Sequence, residues 1–169
     1  MRYRFFLLIL PLFLLLSACN TNHNSDEASV NFYYTHNELV FGTESGVIKK
    51  TVREIKGKHD DYDQLISQYL NGPISYDCIS PFPAGTTLEE LHWDPNRVQV
   101  VLSPHITTLS GMDLMIACAC LTRTVSDMTG INTVQIRSSS GLLNGEQVLT
   151  LSADSFVYWD QATPSDIFH

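Results

Sequence analysis

Basic side chains are scarce in this sequence, with ten Lys and Arg against 18 Asp and Glu in 169 residues. A net charge of −8 disfavours approach to a phosphate backbone, and nucleic acid is not an expected partner. Long hydrophobic runs are missing too. A spanning helix needs about 20 apolar residues, and the apolar block from Phe5 to Ala18 is shorter and interrupted by Pro11. Catalytic signatures are absent: there is no GxSxG, P-loop, GxGxxG, HExxH or CxxC. His23, His36, His59, His92, His105 and His169 are scattered, none three or four apart on a helix, so neither a local metal site nor a cofactor motif is encoded. The densest group of potential ligands is His59-Asp60-Asp61 with Asp63. It reads better as a solvated helix start than as a calcium site, because the glycine-bearing EF-hand loop is lacking.

What the chain does carry begins at its amino end. Arg2 and Arg4 form a positive n-region, Phe5 to Leu16 an apolar h-region, and Leu16-Ser17-Ala18-Cys19 has the form of a bacterial lipobox. Cleavage before Cys19 would make it the new amino terminus, with a nucleophilic thiol suited to accept a diacylglyceryl group. An ordinary signal peptide followed by a coincidental cysteine is the competing reading. The expectation is a signal peptide over residues 1–18, lipid attachment at Cys19, and a protein held on the extracytoplasmic face of the cell membrane. Losing Arg2 and Arg4 leaves eight basic against 18 acidic residues, a net charge of −10. The acyl chains must then anchor the protein without a polybasic second signal; at about 0.8 kcal/mol per buried CH₂, two or three long chains suffice.

Residues 19–29 read as a polar tether, because Asn20 to Ser29 contains one alanine as its only apolar residue. Ten such residues reach roughly 17–19 Å on average, which keeps the folded part near the membrane. Residues 30–160 are long enough for one domain, and 161–169 form a C-terminal tail. Besides Cys19 the cysteines are Cys78, Cys118 and Cys120, an odd number for an oxidising exterior. Cys118 and Cys120 lie two apart on an expected helix and point about 200° apart, so they cannot pair with each other. Cys78 with either of them stays open, beside buried free thiols.

Two helices are expected. In Asp60 to Pro73, the apolar set Tyr62, Leu65, Ile66, Tyr69 and Leu70 follows one helical face; Gly72 supplies a left-handed stop and Pro73 forbids continuation. The second begins at Ser110-Gly111-Met112-Asp113, which resembles a capping box. Its stripe runs Leu114, Cys118, Leu121, Val125 and Met128, and Gly130 ends it. Its apolar first half predicts packing along a sheet centre or contact with a partner.

Val30 to Tyr34 and Glu38 to Phe41 look like an opening strand pair, followed by Val47 to Ile55. Thr87 to Trp93 and Arg97 to Ser103 flank Asp94-Pro95-Asn96 as a hairpin. Thr133 to Arg137 alternates, and a second hairpin turns at Asn144-Gly145 between Leu142-Leu143 and Val148-Leu149. The expected class is α+β: one mostly antiparallel sheet with two helices packed on one face.

Between Lys49 and Lys58, five of the eight mature basic residues fall in ten positions. A charged edge strand resistant to aggregation explains this; the functional alternative is an electrostatic docking edge for an acidic neighbour, such as another copy.

Leu70-Asn71-Gly72-Pro73 and Ile79-Ser80-Pro81-Phe82-Pro83-Ala84-Gly85-Thr86-Thr87-Leu88 resemble the GerMN domain of sporulation and spore-germination lipoproteins, which close a first helix with Leu-x-Gly-Pro and follow it with a Ser-Pro-x-Pro-x-Gly-Thr turn. The likeness continues through Val98 to Ser103, Ser110-Gly111, Gly130 to Ile136 and Asn144-Gly145-Glu146. The Pro-x-Pro-x-Gly-Thr turn is its most specific part, since it demands two fixed φ angles and a permissive glycine. The resemblance implies a non-enzymatic lipoprotein domain, similar to ring-building modules, that helps assemble envelope complexes. It implies no catalytic residue and no cofactor, and only Cys19 carries over as a functional position. One domain copy stands where the sporulation protein has two.

Two functions follow as expectations. The first is a scaffold that acts through an extracytoplasmic protein partner or self-association. The second is a small-ligand-binding or sensor-accessory lipoprotein, suggested by Tyr33, Tyr34, Trp93, Tyr158 and Trp159.

Overall fold

The computed structural model describes residues 27–37, 47–56 and 60–155. The expected strand at Glu38–Phe41 lies outside the described residues, as do Cys19, Tyr158 and Trp159. In chain order the elements are β1 (Glu27–His36), β2 (Ile48–Lys56), α1 (Tyr62–Leu70), β3 (Cys78–Ile79), β4 (Leu88–Asp94) and β5 (Arg97–Leu102). A 3₁₀ turn (Pro104–Thr108), α2 (Gly111–Thr129), β6 (Thr133–Ser138), β7 (Leu149–Ser152) and a final 3₁₀ turn (Ala153–Ser155) follow.

Both helices form where periodicity places them. Asp61 caps α1 by accepting the Gln64 N–H at 3.1 Å, which gives the acidic cluster at 60–63 a structural role. Leu65, Ile66, Tyr69 and Leu70 are buried. In α2, Leu114, Cys118, Leu121 and Val125 are buried, and Gly130 ends the helix in the left-handed region with its N–H on the Ser126 carbonyl. The capping box at its start does not form. Ser110 occupies the cap position without a side-chain cap bond, and Gly111 begins the helix at φ +54.

The α+β class and the antiparallel majority hold, but the strands divide into two sheets where one was expected: β2-β1-β3, and β4-β5-β6-β7. Register explains the division. β1 pairs antiparallel with β2 along its whole length, Phe32 opposite Thr51, and meets β3 only at Thr35 and His36. The remaining open edge of β1 is taken by α2, where the Thr124 hydroxyl accepts the Tyr33 N–H at 3.0 Å. A helix therefore satisfies backbone that another strand would otherwise claim. Within the second sheet β5 and β6 run parallel, because the α2 crossover between them returns the chain to the same end. The turn at Asn144-Gly145 forms, with both residues at positive φ, but closes only the Leu143–Glu146 bridge; β7 pairs with β6 instead.

One core joins the layers. Val98, Val100 and Leu102 on β5 and Val134 and Ile136 on β6 face the α1 and α2 stripes, so both helices cover the same face of the four-stranded sheet. Phe32 and Tyr34 from β1 close the core from the other side around Tyr69, with Phe82 edge-on to Tyr69 at 5.7 Å. Burying each such ring contributes about 1.5–3 kcal/mol.

Candidate interaction surface

The other face of the four-stranded sheet is polar near the β4–β5 turn, while Val101 further along β5 on that face is buried. Pairing aligns His92, Gln99, Gln135 and Thr150 in one row across all four strands. Gln135 Nε2 donates to Thr150 Oγ1 at 3.4 Å. Where this row meets the β4–β5 turn, a shallow depression of about 130 Å³ is lined by His92, Trp93, Asp94, Arg97, Gln99 and Gln135. Small-molecule sites run to about 300–1,000 Å³, so this one holds little more than water or a protruding side chain. Its charged groups are already engaged with each other. Asp94 accepts the Asn96 and Arg97 N–H groups and the Arg97 Nε at 3.0 Å, and the Asn96 amide, then the guanidinium, hold its carboxyl below the usual range. His92 Nε2 lies 3.0 Å from Glu90.

The aromatics are dispersed. Tyr33 and Tyr34 are buried, and Trp93 packs edge-on against Tyr62 at 5.1 Å. Hence β1 and the β4 end contribute no shared aromatic box. Among the described residues no group of three His, Cys, Asp or Glu side chains could hold a metal. His36 is half-buried at the end of β1, and His105 lies 3.3 Å from the Ser103 hydroxyl. Cys78, Cys118 and Cys120 are free and buried; burial pushes the Cys118 thiol up to about 12 and raises the other two. Such thiols are inert at neutral pH.

The basic block separates into two faces. Lys49 is ion-paired with Asp77, whose carboxyl this contact and the Ser75 hydroxyl hold well below the usual range. Arg53 lies over the Phe32 ring at 5.0 Å and donates to the Gln68 and Gly72 carbonyls at 3.4 and 3.3 Å. It therefore neutralises the negative end of α1, whose last turn has no basic residue. Lys50 and Glu54 stay exposed on the opposite face with Val52 between them.

Apolar side chains also stand in solvent. In the connection after α1, Ile74 is 79 % and Tyr76 97 % exposed, with Ile79 beyond them. On the first half of α2, Leu114 and Ala117 enter the core while Met112 and Met115 point outward. Helical spacing located the α2 surface; Ile74 and Tyr76 carry no periodic signal and were missed.

The Pro81 to Thr86 turn is built as its sequence demands. Gly85 sits at φ +84, and Thr86 gives both its N–H and its hydroxyl to the Pro83 carbonyl, at 3.1 and 2.8 Å. A Cβ on Gly85 would meet His105 Nε2 at 3.3 Å.

No curated protein matches the chain. Among solved structures, the tandem GerMN domains of the sporulation protein GerM from Bacillus subtilis match with a TM-score of 0.59 at 14 % identity, over 80 % of this chain and 49 % of that one. The chain thus spans about half the length of the tandem structure. The first GerMN domain of the same protein matches with a TM-score of 0.58 at 16 % identity, over 76 % of this chain and 99 % of that one. At such identities the likeness concerns the fold. A family model described as "Germane: Sporulation and spore germination" matches residues 30–141, and with its motifs in place on this fold, the chain belongs to the Germane family.

Proposed function

We propose that this chain is an extracytoplasmic lipoprotein, anchored through Cys19, whose one Germane domain works by holding a protein partner rather than by catalysis. Its setting is the assembly of envelope complexes in sporulation or germination. The observation that supports the reading best is the exposed pair Ile74 and Tyr76, the two most exposed large apolar side chains among the described residues. Tyrosine at such a position combines large contact area with little conformational freedom to lose. The family's description supports the setting, and the lipobox supports the address.

Cross-linking in native membranes, followed by pull-down across growth and sporulation, tests the partner. Capture of a defined envelope protein that falls at least tenfold in an Ile74→Ala, Tyr76→Ala variant is the expected result, and undiminished capture removes the projection as the contact. Separately, Cys19→Ala is expected to release the protein from the membrane fraction. Full retention would contradict the anchor.

A further inference from the structure

We infer that β2 is an interface for a second copy of this chain, and that two β2 strands pair antiparallel about Val52 into a continuous six-stranded sheet. This goes beyond the partner reading above and stands whether or not that partner or the lipid anchor holds.

The hydrogen-bonding groups of β2 set the geometry. Tyr33 gives its N–H to Thr124 and takes the Tyr69 hydroxyl on its carbonyl, so both groups turn away from β2. In an antiparallel ladder its register partner Lys50 then turns its own groups outward, and by alternation so do Ile48, Val52 and Glu54. β2 is an edge strand among the described residues, nine residues long and without proline. It therefore presents an unbroken row of donors and acceptors to solvent.

The side chains on that strand choose the partner. Lys50, Val52 and Glu54 share one face, all exposed, and Val52 is 63 % exposed. Pairing two copies about Val52 sets Val52 against Val52 of the second copy, and Lys50 of each against Glu54 of the other. Centring on Lys50 instead opposes two lysines. Centring on Thr51 sets Lys50 against Val52, Glu54 against Ile48 and Lys49 against Arg53 of the second copy, and centring on Arg53 sets Lys50 opposite Lys56 of the second copy. One register alone thus satisfies the backbone, covers the valine and opposes unlike charges. The repulsion expected of a basic block is reduced because Lys49 is held by Asp77 and Arg53 by the end of α1.

A lysine-guarded edge that merely keeps copies apart makes the opposite prediction, since removing Lys50 would then promote association. The test uses the full-length chain in detergent. With Cys19 replaced by Ala, Val52→Cys treated with a short bismaleimide is expected to give a covalent dimer that the Cys19→Ala chain alone, with Cys78, Cys118 and Cys120 buried, does not give. Adding Lys50→Glu or Glu54→Lys should lower the yield about tenfold, since each change turns both cross-strand pairs repulsive. Combining the two should restore it. Sedimentation of the same charge variants without the added cysteine should follow the same order. Absence of a dimer, equal yields throughout, a rise with Lys50→Glu, or failure of the double variant to recover would each overturn the pairing.

Discussion

Tyr34 and Tyr69 bind β1 to α1 by crossed hydroxyls. Tyr34 donates to the Tyr69 carbonyl at 3.0 Å, Tyr69 donates to the Tyr33 carbonyl at 2.7 Å, and the rings stack at 5.0 Å. The two bonds are not equivalent. The Tyr69 carbonyl also accepts the Gly72 N–H at 3.0 Å, whereas the Tyr33 carbonyl takes its bond from a fully buried ring. Tyr69→Phe is therefore expected to cost about 1–3 kcal/mol, by leaving a buried carbonyl unpaired, and Tyr34→Phe only about 1 kcal/mol. Urea unfolding of the two variants measures the difference, and equal losses would show that the second acceptor bond does not matter.

The same pair makes the domain sensitive to alkali. Burial raises the Tyr34 phenol to about 12 and the Tyr69 phenol above its ordinary 10.0. Because the folded values lie above the unfolded one, the folded state holds its protons longer. That stabilisation is complete below pH 10 and is lost as pH rises through about 12. Urea midpoints on either side of pH 10 should fall steeply in the wild-type chain and less in Tyr34→Phe.

Arg53 is a structural cation that lysine cannot replace. Its guanidinium reaches two carbonyls and a ring face together, and an ammonium would keep at most part of this. Arg53→Lys is expected to cost about 1 kcal/mol. By contrast, Lys50→Gln should stay within about 0.5 kcal/mol for the isolated domain, as an exposed surface change does. Thermal unfolding of both variants at low protein concentration decides the matter.

Gly85 and Gly145 have nearly the same positive φ, +84 and +87, but differ in surroundings. Gly145→Ala meets nothing within 4 Å and should carry the left-handed penalty alone, about 1 kcal/mol. Gly85→Ala adds the contact with His105 and should cost more, about 2 kcal/mol. Adding His105→Ala to Gly85→Ala should recover the contact part. Denaturant titration of this set separates backbone strain from crowding.

Locally written features were legible. The α1 and α2 stripes, the Gly130 stop, the β4–β5 hairpin over Pro95-Asn96 and the Pro81 to Thr86 turn are short-range patterns, and each is found where it was read. The Ser110 capping box failed because a compatible tetrapeptide does not guarantee the side-chain geometry. The strand at Thr133–Arg137 was readable, but its parallel partner was not, since nothing within β6 names β5. The aromatic set misled for a related reason. Tyr33 and Tyr34 look alike in sequence, yet their use is set by Thr124 and Tyr69, 91 and 35 residues away.

The sequence by itself determined the helices and the turns, because each rests on residues within one turn or hairpin of one another, and the family, because the order and spacing of short motifs along the chain carry it. Tertiary structure decided that the strands form two sheets, that α2 closes the free edge of β1, and that Lys49 is held by Asp77 and Arg53 by the end of α1 while Lys50 and Glu54 face solvent on the other side. The physical reason is that a strand's edges and faces are chosen by what covers them. In β2, an acidic side chain from the β3 connection and the carbonyl end of α1 claim one face and leave the other to meet solvent or a second copy.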